Sequence, residues 1–173
     1  VLDTGSTLLL FTDDDPGRPG LHLGFGLDAT GGEVFLFDTA ANARRLLDSV
    51  NYGQQIADLP IGRVHGGQWQ LNRSTPGAAN VSQPTGDPTA MRINEWLALG
   101  GPEFPNGFVE LFNPLNKPVH IGGLSLTDRP ADLLGRVRVP PLSFIAAKGF
   151  HLFAAGDDSV GNTIQLGFCL SPG

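Results

Sequence analysis

The chain has 173 residues, 40% of them hydrophobic and only 16% charged, with a formal net charge of -6 and a pI near 5.0. Hydrophobicity at that level excludes a disordered chain, and the acidic balance leaves no average positive field to gather phosphates, so nucleic-acid binding is not expected. A single cysteine, Cys169, excludes an intrachain disulfide and a cysteine-based zinc site, and no run approaches the roughly 20 apolar residues that cross a bilayer.

Short apolar runs, each ended by Gly, Pro, Asn or Asp, follow one another along the chain. They predict strands near 7–12, 21–27, 33–37, 46–52, 61–64 and 68–71, then near 92–97, 107–112, 119–126, 136–139, 149–154 and 163–170. This spacing, without an amphipathic stretch long enough for a good helix, predicts an all-β sandwich or barrel. Residues 39–47 are Ala-rich, but their apolar flanks make a hairpin loop the better reading. Asn80 to Pro88 is dominated by Asn, Ser, Pro, Thr and Gly, a composition that builds no core. The domain division follows: 1–80, a linker at 81–90, and 91–173. Within the second part, Glu110 should face opposite to Val109 and Leu111, Asn113-Pro114 should end the strand, and Gly122-Gly123 should bend one. The expected core faces are Leu8, Leu10, Phe25, Val34, Leu36, Val109, Leu111, Leu124, Leu126, Leu152, Leu166 and Phe168, with Trp69 and Trp96 as core aromatics and Cys169 as a small buried hydrophobe.

One segment recurs. Ser6 to Asp15 followed by Leu21 to Leu27 returns as Gly149 to Asp158 followed by Ile164 to Leu170, with Leu10 and Leu152 separated by 142 residues and Leu21 and Ile164 by 143. Such repetition sets the unit of folding. The chain reads as the end of one domain copy joined to the start of the next. Early strands then occur only after residue 90 and late strands only before residue 80, so the halves are expected to complement one another, within one chain or by strand exchange between copies.

Two sets of motifs carry a family resemblance. Ile93-Asn94-Glu95, Phe108 to Pro114 and Val119 to Asp128 resemble the opening half of a bacterial lamin tail domain. Gly31 to Leu36, Val50 to Gly53, Ile61-Gly62-Arg63, Trp69 and Thr75 to Asn80 resemble its closing half. Leu124 departs from the pattern, standing where an aromatic is common. The resemblance implies an immunoglobulin-like β-sandwich of the lamin-tail type, without an intrinsic active site, secreted or on the cell surface. The function it implies is a non-catalytic structural or binding module of an exported multidomain bacterial protein, partnered by neighbouring repeats or domains. The alternative is an accessory domain of a secreted nuclease or phosphoesterase whose catalytic domain lies outside this chain. No basic region precedes an apolar segment at Val1, so any signal peptide is expected outside this segment.

Few residues suggest chemistry. Leu2-Asp3-Thr4-Gly5-Ser6 has the form of an aspartic-protease loop, but that chemistry needs two aspartates sharing a proton, and no second Asp-Ser/Thr-Gly occurs. A turn entering a strand is the expected role. Asp13, Asp14 and Asp15, with Asp157 and Asp158 in the matching loop, are the calcium candidates, because crowded carboxylates suit a cation with 6 to 8 oxygen ligands. They do not follow the Asp-x-Asp-x-Asp-Gly pattern, so solvated turns are expected, with no bound metal, cofactor or catalytic residue. His22, His65, His120 and His151 show no metal-binding spacing, and His22 and His151 are expected to face solvent. Neither a phosphate loop nor a Gly-x-Ser-x-Gly elbow is present.

Overall fold

The computed structural model describes residues 3–13, 15, 17–64, 66–98, 100–102, 107–131, 137–155 and 164–166. Among these the chain is nearly all β, as expected, with fifteen short strands and two single-turn 3-10 segments. They form two compact units, each assembled from two stretches of chain: residues 1–28 with 57–83, and residues 29–56 with 84–173. The chain passes from one unit to the other at 28/29, 56/57 and 83/84.

In the first unit, β1 (Leu10–Phe11) and β2 (Leu21–His22) run parallel. A second sheet is an antiparallel meander of β5 (Ile61–Arg63), β6 (Trp69–Arg73) and β7 (Val81–Ser82). Strand β7 extends the ladder into the segment expected as a linker. Leu71 and Asn72 are this unit's most buried side chains, both 1% exposed. Asn80 crosses the sheet, its Nδ2 donating to the Arg63 carbonyl at 2.8 Å.

In the second unit, β3 (Gly32–Phe37) and β4 (Leu46–Tyr52) form a hairpin closed by the 3-10 turn Ala40–Asn42, with a bulge at Leu36/Phe37. The hairpin loop expected at 39–47 is therefore present. After the second 3-10 turn, Pro88–Ala90, which Asp87 caps through Thr89, comes β8 (Arg92–Leu97). It begins a four-stranded mixed sheet in the order β15 (Ile164–Leu166), β14 (Phe150–Ala155), β9 (Phe108–Phe112), β8. Beside it lie two short antiparallel pairs, β10 (Val119–His120) with β13 (Phe144–Ile145), and β11 (Ser125–Leu126) with β12 (Val137–Arg138). The run 119–126 is split in two by a turn at Gly122-Gly123, where the Leu124 amide donates to the Ile121 carbonyl at 3.1 Å.

Alternation along β9 places Val109 and Leu111 inward with Phe108, Glu110 and Phe112 on the other face. The inward pair joins Val119, Ile121, Val139, Ile145, Phe153, Ala155 and Leu166 in one core, with Leu124 and Leu126 packed against it. Tyr52 and Gly53 tie the hairpin base to this unit. The Gly53 amide donates to the Pro141 carbonyl at 2.8 Å, and any Cβ on Gly53 would collide with Ser143 and Pro140.

Several expected core residues are not core. Leu8, Leu10, Phe25 and Leu36 are 43–58% exposed, and Trp96 is 67% exposed. Val34 and Leu152 are half-buried. The reason is partnership. Leu10 and Leu36 lie in two-stranded sheets, and Trp96 is on the edge strand β8. Leu2, Phe168 and Cys169 lie outside the described residues.

Two buried asparagines make opposite predictions. Asn113 is fully buried and saturated: its Nδ2 donates to the Lys117 and Ala146 carbonyls, both at 2.8 Å, and its Oδ1 accepts from the Leu115 amide at 3.0 Å. Asn113→Ala should cost about 2–4 kcal/mol, since carbonyls are left unpaired and a cavity opens. Asn72 is equally buried, but neither side-chain polar atom has a hydrogen-bond partner among the described residues. Asn72→Leu should be neutral or stabilising by about 1–2 kcal/mol, because an unsatisfied amide is removed. Urea denaturation of both variants checks this, and destabilisation of equal size in the two would contradict it.

Candidate functional site

Between the parallel strands β1 and β2, the described residues Asp13, Asp15 and Arg18 form a linked set of polar groups with His22. Thr12 and Asp13 follow β1, and the chain must cross over before His22 on β2. Asp13 Oδ1 accepts from the Asp15 amide at 3.3 Å and lies 2.6 Å from His22 Nδ1. Asp15 Oδ1 accepts from the Gly17 amide at 3.2 Å, and its Oδ2 pairs with Arg18 Nε at 3.0 Å. Each described carboxylate of the turn thus has its own local partner. Asp14, Asp157 and Asp158 lie outside the described residues. Among the described residues no group of three or more His, Cys, Asp or Glu is placed to hold a metal ion.

His22 does not face solvent as expected. Its side chain is 6% exposed, and its ring stacks on Phe11 at 5.0 Å between centroids. Gly20 permits this arrangement, adopting φ of 130°, and a Cβ there would meet the Phe11 ring at 2.8 Å and His22 Nε2 at 3.4 Å. The hydrogen bond to Asp13 raises the His22 pKa against the opposing effect of burial, and the same bond lowers that of Asp13. His22 Nε2 is buried, so the pair is an Asp–His dyad with its outer nitrogen covered. A proton-linked brace across the crossover is what this geometry can supply.

His151 also turns inward. On β14, opposite Leu111 and edge-on to Phe153 at 4.7 Å, it is 8% exposed, and burial pushes its pKa down to about 4. The Asp3-Thr4-Gly5-Ser6 loop is a backbone turn, closed by the Ser6 amide donating to the Asp3 carbonyl at 3.0 Å. Trp69 is half-buried, with the Arg63 guanidinium 4.5 Å over its ring.

Two surface features were not visible in the sequence. An open cleft of about 430 Å³ lies between the hairpin base and Pro140-Pro141, with Tyr52 and the Glu33–Asn51 pair on its wall. No motif links these segments, which are brought together by the β3–β4 register, the Gly53 bond to Pro141 and the Phe144 amide bond to the Gln54 carbonyl. The second is the hairpin itself. Phe35, Leu36, Phe37, Leu46 and Leu47 are 48–58% exposed on its two faces, and the Phe35 and Phe37 rings stack at 6.2 Å.

No family model, curated protein or solved structure matches the chain.

The two histidines predict opposite responses to acid. His22 is raised in the folded state, so its stabilisation is full below about pH 6.5 and is lost as pH rises through its folded pKa. His151 is lowered, so its neutral form is kept above about pH 6.5, and stability falls as pH drops from there towards 4, by up to about 3 kcal/mol. His22→Gln should therefore lose most stability near pH 5.5 and little above pH 8. His151→Leu should gain relative to wild type as pH falls from 7 to 4.5. Thermal melts across that range decide it, and parallel curves for all three proteins would contradict the assignment.

Proposed function

We propose that this chain is a non-catalytic structural or binding module of an exported or cell-surface multidomain protein, an immunoglobulin-like β-sandwich of the lamin-tail type. Its partners are neighbouring domains of the same kind. The observation that carries the reading is the β3–β4 hairpin. Five large apolar side chains stand half-exposed on a two-stranded ribbon that has no further strand on either edge among the described residues. A hairpin of this kind is marginal alone, and contiguous apolar surface on β structure marks a contact with another protein surface. The motif likeness at 93–95, 108–114 and 119–128 and the recurrence of the β1–β2 segment support a modular parent.

Two measurements test this. The isolated chain should show no protease, nuclease or phosphoesterase turnover above buffer. Turnover abolished by Asp3→Asn would overturn the reading. Phe35→Ser with Leu36→Gln should leave the far-ultraviolet dichroism unchanged and remove concentration-dependent association in sedimentation velocity. A wild-type chain that sediments as a monomer up to millimolar concentration would remove the hairpin as a contact surface.

A further inference from the structure

The same ladder occurs twice in this chain, in two settings. Leu10 pairs with Leu21 and Phe11 with His22, in parallel, while Phe153 pairs with Ile164 and Ala154 with Gln165, also in parallel. Each of the first four positions reaches its counterpart by the same shift of 143 residues, so Leu10 corresponds to Phe153 and not to Leu152 as the sequence comparison expected. In the second setting, β14 carries β9 antiparallel on its other edge, and β9 carries β8. With that edge filled, Phe153 and Ala154 are 0% and 2% exposed. In the first setting no strand pairs with the other edge of β1 among the described residues. Leu10 and Phe11 are 43% and 39% exposed there, and Leu8 and Leu9 just before them are 53% and 52% exposed.

We propose that this free edge of β1 is the acceptor for an antiparallel hairpin of the β8–β9 type, donated by another copy of the module. Carried over from β14, the register sets the Val109 position opposite Leu10, Phe108 opposite Phe11, Glu110 opposite Leu9 and Leu111 opposite Leu8. The incoming strand supplies ladder hydrogen bonds and covers the leucines, the two components of strand addition to a sheet edge. A comparison of β1 with β8, the outer strand of the four-stranded sheet, favours β1 as the acceptor. Strand β8 is blunted by a bulge at Asn94 and by Arg92 and Glu95, whereas Thr7 to Phe11 holds no charge and no proline, the features that protect an edge. The proposal deepens the module reading and rests on it, by naming the surface and the partner.

The test uses the whole 173-residue chain and a fluorescein-labelled synthetic peptide of residues 91–113. Anisotropy should show saturable binding, weakened at least tenfold in the Leu8→Glu/Leu10→Glu variant, whose substituted side chains are exposed and leave the fold intact. Hydrogen exchange should show new protection of the amides of residues 8–11 on peptide addition, with those of 150–154 unchanged. Binding that survives the double substitution, or that opens the 150–154 amides, means the peptide displaces β9 from β14 and overturns the proposal. Absence of binding also overturns it. Either result, with no turnover in the activity assays, leaves the module reading standing, whereas turnover removes both.

Discussion

The largest sheet depends on how the chain leaves β9. A strand that alternates Val109, Glu110 and Leu111 between two faces tolerates no slip, because a shift of one residue would turn both apolar side chains outward and bring the carboxylate in. Asn113 follows immediately and is fully buried. Its amide binds the carbonyls of Lys117 and Ala146, while its own backbone amide donates to the Gly149 carbonyl at 2.9 Å. The turn after β9 is thereby stitched to the turn before β14. Lys148 reinforces the seam, its amide donating to the Leu115 carbonyl at 3.0 Å and its Nζ to the Pro114 carbonyl at 2.6 Å. The ladder then starts one residue away, with Phe112 opposite Phe150. Register, and with it the composition of the core, follows from this junction.

Where strands run was legible in the sequence, because it depends on local signals: period-two apolarity and the Gly, Pro, Asn and Asp that end it. The hairpin at 33–52 and the end of β9 at Asn113-Pro114 were read that way, whereas the single strand expected over 119–126, bent at Gly122-Gly123, is two strands parted by a turn there. Two short strands escaped, Val81–Ser82 and Phe144–Ile145. The first sits in a stretch whose composition argues against any ladder, and the second is too short to show a period. Which strands are buried was not legible, because burial belongs to the partner. Leu10 and Phe153 occupy the same place in the same parallel ladder, yet only Phe153 has β9 beside it. No local property of Leu10 predicts its exposure.

The polar sites show the same division. That Asp13 and Asp15 lie on one turn was evident, but their partners were not. His22 stands nine residues from Asp13 and reaches it only because β2 returns parallel to β1. A parallel return over so short a connection is uncommon, since parallel strands usually need a crossover of a dozen or more residues. The dyad, the Phe11 stack and the close approach at Gly20 are all consequences of that crossover, and none has a motif. Asn72 gives no sequence signal either, since an asparagine inside a strand reads as a solvent-facing position until Gly62 and Asn80 are seen packed against it.

The histidines show how far environment overrides residue type. His22 and His151 are each the second residue of a strand, after one apolar residue, and both rings are covered. One has a carboxylate at hydrogen-bond distance from Nδ1, so a proton on the ring completes an ion pair. The other faces Leu111 and the edge of Phe153, so a proton brings a charge into hydrocarbon. The first environment favours the charged form and the second the neutral form. In the repeat, the 143-residue shift carries His22 to Gln165 and Leu8 to His151, so neither histidine has a histidine counterpart. The backbone ladder is what the two settings share. The protonation chemistry belongs to each separately, decided by the strand or loop that comes to lie beside the ring.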